Sequence, residues 1–392
     1  MTGTIQTITV RGFRSLANVT VPLGPMTVLV GPNGSGKTNV LNVLRLLAAT
    51  IRFDLVTAIE MFGGYEHILR ADGLSTRVRF EIEAIVTEHA HDRARDRYSL
   101  EIRQTPRRGL RRSEEFTFKR VRGPGRRITV NGSTITIGTV SPGSRGRQLK
   151  LADEQTTGLS TLPKLARDQG GEGIDAFARF ISSIRVIEPD VREARTPSRL
   201  YSSSLAEDAS NLADALLLLK ETEPQAFADV ERDLALCLPG LERIVFGTTG
   251  GSTRSVVVQL KEAGLTEPID LADASFGTVR LLALLVALYE PDPPPLTAIE
   301  EIDHGLHPYA LDVIVDALRS ASRRTQLLIT THSPTFVNRL RPDELVICDR
   351  DPDTGESVIP AVDTDTLTAA AEESDLRLGE LWFSGAVRGI PT

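Results

Sequence analysis

Apolar and polar positions along the 392-residue chain recur at two periods, and the switches between them mark its elements. Ile5-Gln6-Thr7-Ile8-Thr9-Val10 alternates and predicts a first strand; residues 19–23 predict a second, paired to it. Met26-Thr27-Val28-Leu29-Val30 is apolar enough for a buried strand, and residues 39–47 carry apolar side chains at helical spacing, predicting a helix to about Thr50. From 77 to 86, Arg77, Arg79, Glu81 and Glu83 alternate with Val78, Phe80, Ile82 and Ala84. Residues 98–103 and 116–121 repeat the alternation, a Gly123-Pro124-Gly125 turn follows, and residues 128–130 and 134–137 flank Asn131-Gly132, a hairpin signal. Residues 76–140 therefore predict an antiparallel β-meander. Residues 141–173 are rich in Gly, Ser and charge and read as loop, with one short helix near Leu162. Helices are expected at 211–220, after a Ser210 cap, and at 224–238. Residues 244–246 and 255–260 read as strands around Gly250-Gly251, residues 269–271 as a short strand, and 278–289 as a helix. Strand 296–299, helix 309–320, strand 326–330, helix 334–340 and strand 345–348 then alternate, which argues a parallel sheet covered by helices. The expected fold class is α/β: a mainly parallel sheet flanked by helices, with an inserted antiparallel β-meander and a helical subdomain. The divisions read from this are 1–75, 76–140, 141–240, 241–350 and 351–392.

Between the apolar strand and its helix lies Gly31-Pro32-Asn33-Gly34-Ser35-Gly36-Lys37-Thr38, which fits G-x-x-x-x-G-K-[ST] without mismatch. Glycines let backbone N–H groups crowd around an anion, and the amino end of the helix adds its dipole. Strand, glycine loop and helix together predict a phosphate-binding loop, against the alternative of a chance glycine turn. Lys37 is then expected to reach the β- and γ-phosphates and Thr38 to hold Mg2+.

The strand at 296–299 ends in Glu300-Glu301. In a phosphate-loop protein the first acid at such a strand end binds Mg2+, and the second accepts a proton from the attacking water or orients it. Two solvated loop acids are the plainer alternative. The next apolar strand ends Thr331-His332-Ser333-Pro334, which places His332 to sense a γ-phosphate, unless it is a structural histidine. Ser275-Phe276-Gly277 ahead of an apolar helix makes a second small anion turn, although many helices begin this way.

Charge changes the picture at one place. The chain carries a net −7, yet residues 93–150 hold 16 Lys/Arg and 4 Asp/Glu. That segment reads either as a surface facing a polyanion such as DNA or as a solvated arginine-rich β-face. Cys237 and Cys348 are far apart and form no metal or redox pattern, in keeping with a reducing compartment. Residues 1–20 show no signal peptide, and the longest apolar run, 281–289, is too short to span a membrane. A soluble, cytoplasmic protein of two structural units, or one elaborated domain, is expected.

The motifs, with Arg11-Gly12-Phe13-Arg14-Ser15 ahead of them, resemble the ABC-type ATPases of RecF, SMC and OLD-like proteins, in the family's order of Walker A, signature, Walker B and switch histidine. Glu300-Glu301-Ile302-Asp303-His304-Gly305-Leu306-His307-Pro308 is similar to the E-E-x-x-x-x-L-H-P run of the OLD-like branch, and Ile187-Glu188-Pro189-Asp190-Val191-Arg192 looks like the same branch. The likeness covers most of residues 1–350 and is least at 76–180. It implies ATP and Mg2+ as ligands: Gly31, Pro32, Asn33, Gly34, Ser35, Gly36, Lys37, Thr38 and Asn39 around the nucleotide, Thr38 and Glu300 on the ion, Glu301 as catalytic acid/base and His332 as γ-phosphate sensor. Arg14 resembles a basic residue near the nucleotide of SMC heads, and Ser275 and Gly277 would contact the nucleotide of a second subunit in an ATP-sandwiched homodimer.

Three departures stand out. The signature is reduced to Ala274-Ser275-Phe276-Gly277-Thr278, His307 replaces the aspartate of the D-loop, and the Q-loop glutamine has only Gln148 and Gln155 as candidates. OLD proteins continue into an acidic Toprim nuclease domain, whereas 60 residues follow His332 here; Asp349, Asp351, Asp353, Asp363 and Asp365 read as loop. The resemblance thus implies a stand-alone ATPase that senses DNA or gates a separate nuclease-like effector, in prokaryotic defence, with no membrane partner. A RecF-like repair ATPase is the main alternative. A transporter subunit and a non-hydrolysing scaffold fit less well, given the signature and the intact Lys37, Glu300, Glu301 and His332.

Overall fold

The computed structural model describes residues 3–106, 109–120, 122–140, 146–151, 154–166, 169–200, 204–249 and 255–387. Five parallel strands form the central sheet, in the order Arg185–Ile187, Leu296–Ile299, Gln326–Thr331, Met26–Val30 and Leu345–Ile347. Every residue of the three middle strands is buried, as a sheet covered on both faces requires. Successive side chains point to opposite faces. Val28, Val30, Ile187, Ile299 and Ile329 pack with the helices Leu212–Thr222, Pro224–Cys237, Phe276–Tyr289 and Pro308–Ala321. Leu29, Val186, Ala298 and Leu328 pack on the other side, with the helices Lys37–Arg52 and Gly171–Ser182 and with a second sheet.

That second sheet is larger than the parallel one and antiparallel, which refines the expectation of a mainly parallel protein. Its eight strands run Leu16–Pro22, Thr4–Phe13, Arg77–Ile85, Asp96–Gln104, Leu110–Phe118, Arg126–Asn131, Thr134–Thr139 and Arg147–Lys150. The meander is present, and it extends the amino-terminal hairpin rather than standing apart: Ile8 pairs with Ile82 and Val10 with Phe80. Two of its strands differ from expectation for clear reasons. Leu110–Phe118 starts six residues before the alternation at 116 because charged side chains, Arg112 and Glu114, fill its inward positions. Arg147–Lys150, in a stretch read as loop, contains one apolar residue and so cannot alternate.

Arg112 and Glu114 are fully buried and 3.3 Å apart. Glu114 accepts hydrogen bonds from the Gly158 amide at 2.7 and 2.9 Å and from the Tyr98 hydroxyl at 2.8 Å. Arg112 donates to the carbonyls of Thr156 and Gly132. Burial pushes the Glu114 carboxyl up while the guanidinium holds it down. The pair pins residues 156–158 to the sheet.

On the outer face five arginines of the insert are neutralised. Arg79 and Arg97 pair with Glu81, each at 3.4 Å, Arg95 with Glu83 at 3.5 Å, Arg77 with Glu101 at 3.5 Å and Arg127 with Glu115 at 2.9 Å. Glu81 and Glu83 lie on the strand preceding the 93–150 window, so a count along the chain misses them. The exposed Arg103, Arg111, Lys119, Arg120, Arg122, Arg147 and Lys150 form no ion pair among the described residues.

A third sheet pairs Leu241–Thr249 with Ser255–Glu262, edged by Ser198–Arg199 and Ile269–Asp270. The expected Gly250-Gly251 turn lies outside the described residues. Within 141–240, the strand Arg185–Ile187 belongs to the parallel sheet. The acidic carboxy-terminal stretch is not a loop. Asp349–Arg350 pairs with Ser357–Val358, and the helices Thr364–Glu373 and Leu378–Phe383 bury Leu367, Leu378 and Trp382 in the core. The short acids shape the turns: Asp351 accepts from the Thr354 amide at 2.8 Å, and Asp363 caps its helix through the Thr366 amide at 2.8 Å. No helix among the described residues is long and apolar enough to cross a membrane.

Removing one partner of a buried ion pair leaves an uncompensated charge and costs about 3–5 kcal/mol. Glu114→Ala is therefore expected to lose about 3 kcal/mol in urea unfolding, and Arg112→Met with Glu114→Leu to recover most of it. A loss below about 1 kcal/mol for Glu114→Ala would contradict this role for the pair.

Candidate nucleotide site

Parallel strands deliver their carboxyl ends to one edge of the sheet, and in open α/β sheets that edge is where ligands bind. Here it gathers Gly31, Glu188, Glu300, His332 and Cys348, each the first residue after its strand. The chain leaves Val30 through the glycine loop and enters the helix Lys37–Arg52 at Gly36, whose φ of 101° is left-handed; Gly34 has φ 81°. No side chain caps this helix, so its first amides stay available to an anion. The buried Ser35 hydroxyl has no hydrogen-bond partner among the described residues. Lys37 is only 8% exposed, and its ammonium donates to the carbonyls of Gly31 at 2.6 Å and Pro32 at 3.0 Å. Burial lowers its pKa, against the charges of Glu301, Asp303 and Glu300 nearby. An uncapped helix end, an unpartnered hydroxyl and a buried ammonium fit a polyphosphate.

The acid pair divides into two environments. Glu300 is 7% exposed and its amide donates to the Ile187 carbonyl at 3.1 Å, which locks it beside the neighbouring strand. Thr38 lies beside its carboxylate. Arg45, on the loop's own helix, bridges it at 3.2 Å to Glu188 at 2.7 Å. Burial raises the Glu300 carboxyl and the Glu188 charge adds to this, while Thr38 and Arg45 oppose it. Thr38 and Glu300 together present the hard oxygen donors that Mg2+ prefers, with nucleotide oxygens and water to complete the shell. Among the described residues no group of three His, Cys, Asp or Glu could hold a metal.

Glu301 is exposed and holds φ at 47°, a strained value for a residue with a side chain. Its amide donates to the Thr330 hydroxyl at 2.9 Å, and its carbonyl accepts from Arg280 at 2.8 Å. The next turn is closed by Thr331, whose hydroxyl donates to Asp303 at 2.5 Å. His332 follows, exposed. A cavity of about 580 Å³ opens beside these acids, lined by Glu188, Phe276, Arg280, Glu300, Glu301 and His304.

Arg14 also belongs to this edge. Its guanidinium lies 3.5 Å from the Asn39 side-chain oxygen, donates to the His67 carbonyl at 3.2 Å and sits over the rings of Phe13 and Phe62. Asn39 in turn donates to the Ser15 hydroxyl at 2.8 Å. Ser275 and Gly277 are placed differently. Ser275 caps Phe276–Tyr289 by accepting from the Thr278 amide at 3.1 Å. Gly277 approaches the Gly305 carbonyl so closely that a Cβ would lie 2.6 Å from it. Among the described residues no hydrogen bond or ion pair links this turn to residues 31–39. His307 accepts from the Tyr309 amide at 3.2 Å and caps Pro308–Ala321.

Neither glutamine candidate reaches the acids. Gln148 stands on the outermost strand of the eight-stranded sheet, and the Gln155 backbone meets Leu55. The position beside Glu300 is filled by Glu188. Arg280 is the other residue that sequence reading passed over. It is 4% exposed and donates to the carbonyls of Pro189 at 3.2 Å, Glu300 at 3.1 Å and Glu301 at 2.8 Å. A lone arginine among ten consecutive buried residues, 279–288, was the available signal.

Among curated proteins, the chain is 31% identical over 171 residues to the DNA replication and repair protein RecF of Streptomyces avermitilis, which covers 42% of this chain and 46% of that protein. It is 40% identical over 71 residues to the OLD nuclease of Thermus scotoductus, 14% of this chain and 13% of that one. The chain thus spans less than half the length of the curated relatives it matches. Among solved structures, an SMC head bound to the C-winged helix domain of ScpA superposes with a TM-score of 0.54 at 15% identity, over 92% of this chain and 99% of that one. An Smc head with an extended coiled coil from Pyrococcus furiosus gives 0.52 at 15%, over 95% and 99%. These share the fold. Residues 26–338 match the family described as AAA domain, putative AbiEii toxin, Type IV TA system, and the chain belongs to that family, within the ABC-type ATPases of the RecF, SMC and OLD group.

Proposed function

We propose that this chain binds and hydrolyses ATP with Mg2+ and works as a nucleotide-switched homodimer that senses DNA or gates a separate effector. The observation that carries the reading is the convergence at one sheet edge of an uncapped helix end, buried Lys37, and Glu300 with Thr38 beside it. Lys37 exchanges the Gly31 and Pro32 carbonyls for the β- and γ-phosphates, and residues 31–39 with Arg14 surround the nucleotide. Thr38 and Glu300 would hold Mg2+, whose charge would offset that of the phosphates. Glu301, exposed and in no ion pair among the described residues, takes a proton from water as the water oxygen bonds the γ-phosphorus and the bond to the bridging oxygen breaks, leaving ADP. His332 contacts the γ-phosphate.

Among the described residues no hydrogen bond or ion pair ties Ser275 and Gly277 to residues 31–39 of their own chain, in keeping with their use against the nucleotide of a second copy. Closure on ATP and release on hydrolysis is then a population shift set by the affinity of each state for nucleotide. Arg280 links the two halves, because it lies on the helix that Ser275 caps and holds the backbone of both acids.

The exposed cations left unpaired on the insert are the surface for DNA phosphates, a smaller one than the net charge of 93–150 suggests. A cytoplasmic role in defence, with a nuclease-like partner, is supported by the OLD-like run at 300–308 and by the toxin–antitoxin wording of the family. A repair role is the second reading, favoured by the longer match to RecF.

Glu301→Gln is expected to keep ATP binding, slow hydrolysis by about 10²–10⁴-fold and accumulate an ATP-bound dimer in size-exclusion chromatography. Turnover at the wild-type rate would rule out Glu301 as the base. Double-stranded DNA is expected to stimulate hydrolysis at low salt, with the effect fading as salt rises; a rate indifferent to DNA at both salts would remove DNA from the account.

A further inference from the structure

The hairpin Asp349–Arg350/Ser357–Val358 carries no assigned role, yet it is built onto the phosphate loop. The Cys348 amide donates to the Val30 carbonyl at 2.7 Å, continuing the pairing of the parallel sheet past Ile347. The Ser357 amide donates to the Ser15 carbonyl at 2.9 Å, and its hydroxyl to the Ser15 hydroxyl at 2.7 Å. Arg70 holds the tip, donating to the Thr354 carbonyl at 2.9 Å and pairing with Glu356 at 3.4 Å. Two glycines of the loop are needed for this fit, and a third lies against the hairpin. A Cβ at Gly31 would strike the Cys348 carbonyl, one at Gly36 the Ser357 side chain, and one at Gly34 would lie 3.1 Å from Nη1 of Arg350.

Arg350 is therefore fixed at its backbone and laid across the phosphate loop at Gly34. Its Nε donates to the Gly355 carbonyl at 3.3 Å, a long contact that leaves both terminal nitrogens undirected. The side chain is exposed. In a chain with 52 acidic residues, no carboxylate among the described residues forms an ion pair with it. Neighbouring Asp349 instead accepts from the Arg350 backbone amide at 2.8 Å. An unpaired guanidinium held against a backbone that cradles phosphates is placed to bind them, and its planar fork suits phosphate oxygens.

We propose that Arg350 is a further nucleotide-binding residue, supplying from the carboxy-terminal hairpin a cation to the phosphate chain of the nucleotide held in the same chain. The inference rests on the reading of residues 31–38 as the ATP site. It gives the hairpin a purpose: to carry that guanidinium to the loop while Ser357 and Cys348 brace the glycines from behind.

Titration calorimetry with ATP, ADP and adenosine on wild type, Lys37→Ala, Arg350→Ala and Arg350→Lys tests it, with melting curves taken without nucleotide. Arg350→Ala is expected to melt as wild type, to bind ATP and ADP on the order of tenfold more weakly, and to leave adenosine binding unchanged. Arg350→Lys is expected to recover part of the loss. ATP binding by Arg350→Ala within twofold of wild type, while Lys37→Ala loses it, would overturn the role of Arg350 and leave the ATP site standing. Equal losses in Arg350→Lys and Arg350→Ala would assign the effect to the Gly355 contact and overturn it also. Absence of ATP binding by wild type would overturn the ATP site and this proposal together.

Discussion

The amino end of the helix Lys37–Arg52 is the constraint on which the rest of the site depends. Four helical amides there lack intrahelical partners, and no side chain serves as cap. Such an end is tolerable only where something else meets it. The chain meets it with a loop whose glycines accept left-handed backbone and close approach, and with a lysine folded onto the carbonyls of that loop. Lys37 is buried enough to lower its pKa, yet bound only to carbonyls. The arrangement is better satisfied with a polyphosphate.

Two arginines hold the acids in place. Arg45 reaches from the loop's helix to Glu300 and Glu188, so the carboxylate proposed for Mg2+ is held by a cation of the same chain. Arg280 reaches from the helix capped by Ser275 to the backbone of Glu300 and Glu301. Buried arginines with several carbonyl acceptors position backbone rather than stabilise the fold by charge pairing. The strained φ of Glu301 persists because Thr330 and Arg280 grip that peptide from both sides. Arg280 thereby ties the Ser275 helix to the backbone of both acids.

The parallel core and the phosphate loop were legible because they follow local rules: continuous apolar strands, helical periodicity and one motif with the right flanks. Where reading failed, charge had been placed against the local pattern. Arg112 and Glu114 occupy inward strand positions and hid the start of Leu110–Phe118. Glu81 and Glu83 neutralise arginines that a sliding count left bare. Glu188 matters through Arg45, 143 residues away in sequence, and Arg280 through carbonyls on two other segments, relations that periodicity does not carry. The acidic carboxy-terminal stretch looked like loop because its aspartates cap turns and helices whose apolar contacts are few and dispersed.

A crystal structure with a non-hydrolysable ATP analogue and Mg2+ tests the central claim most directly. The account predicts phosphates at the amides of residues 34–38, Lys37 moved from the Gly31 and Pro32 carbonyls onto them, and Thr38 and Glu300 at the ion with Arg45 displaced from Glu300. A nucleotide bound elsewhere, or Lys37 still on its two carbonyls, would contradict it.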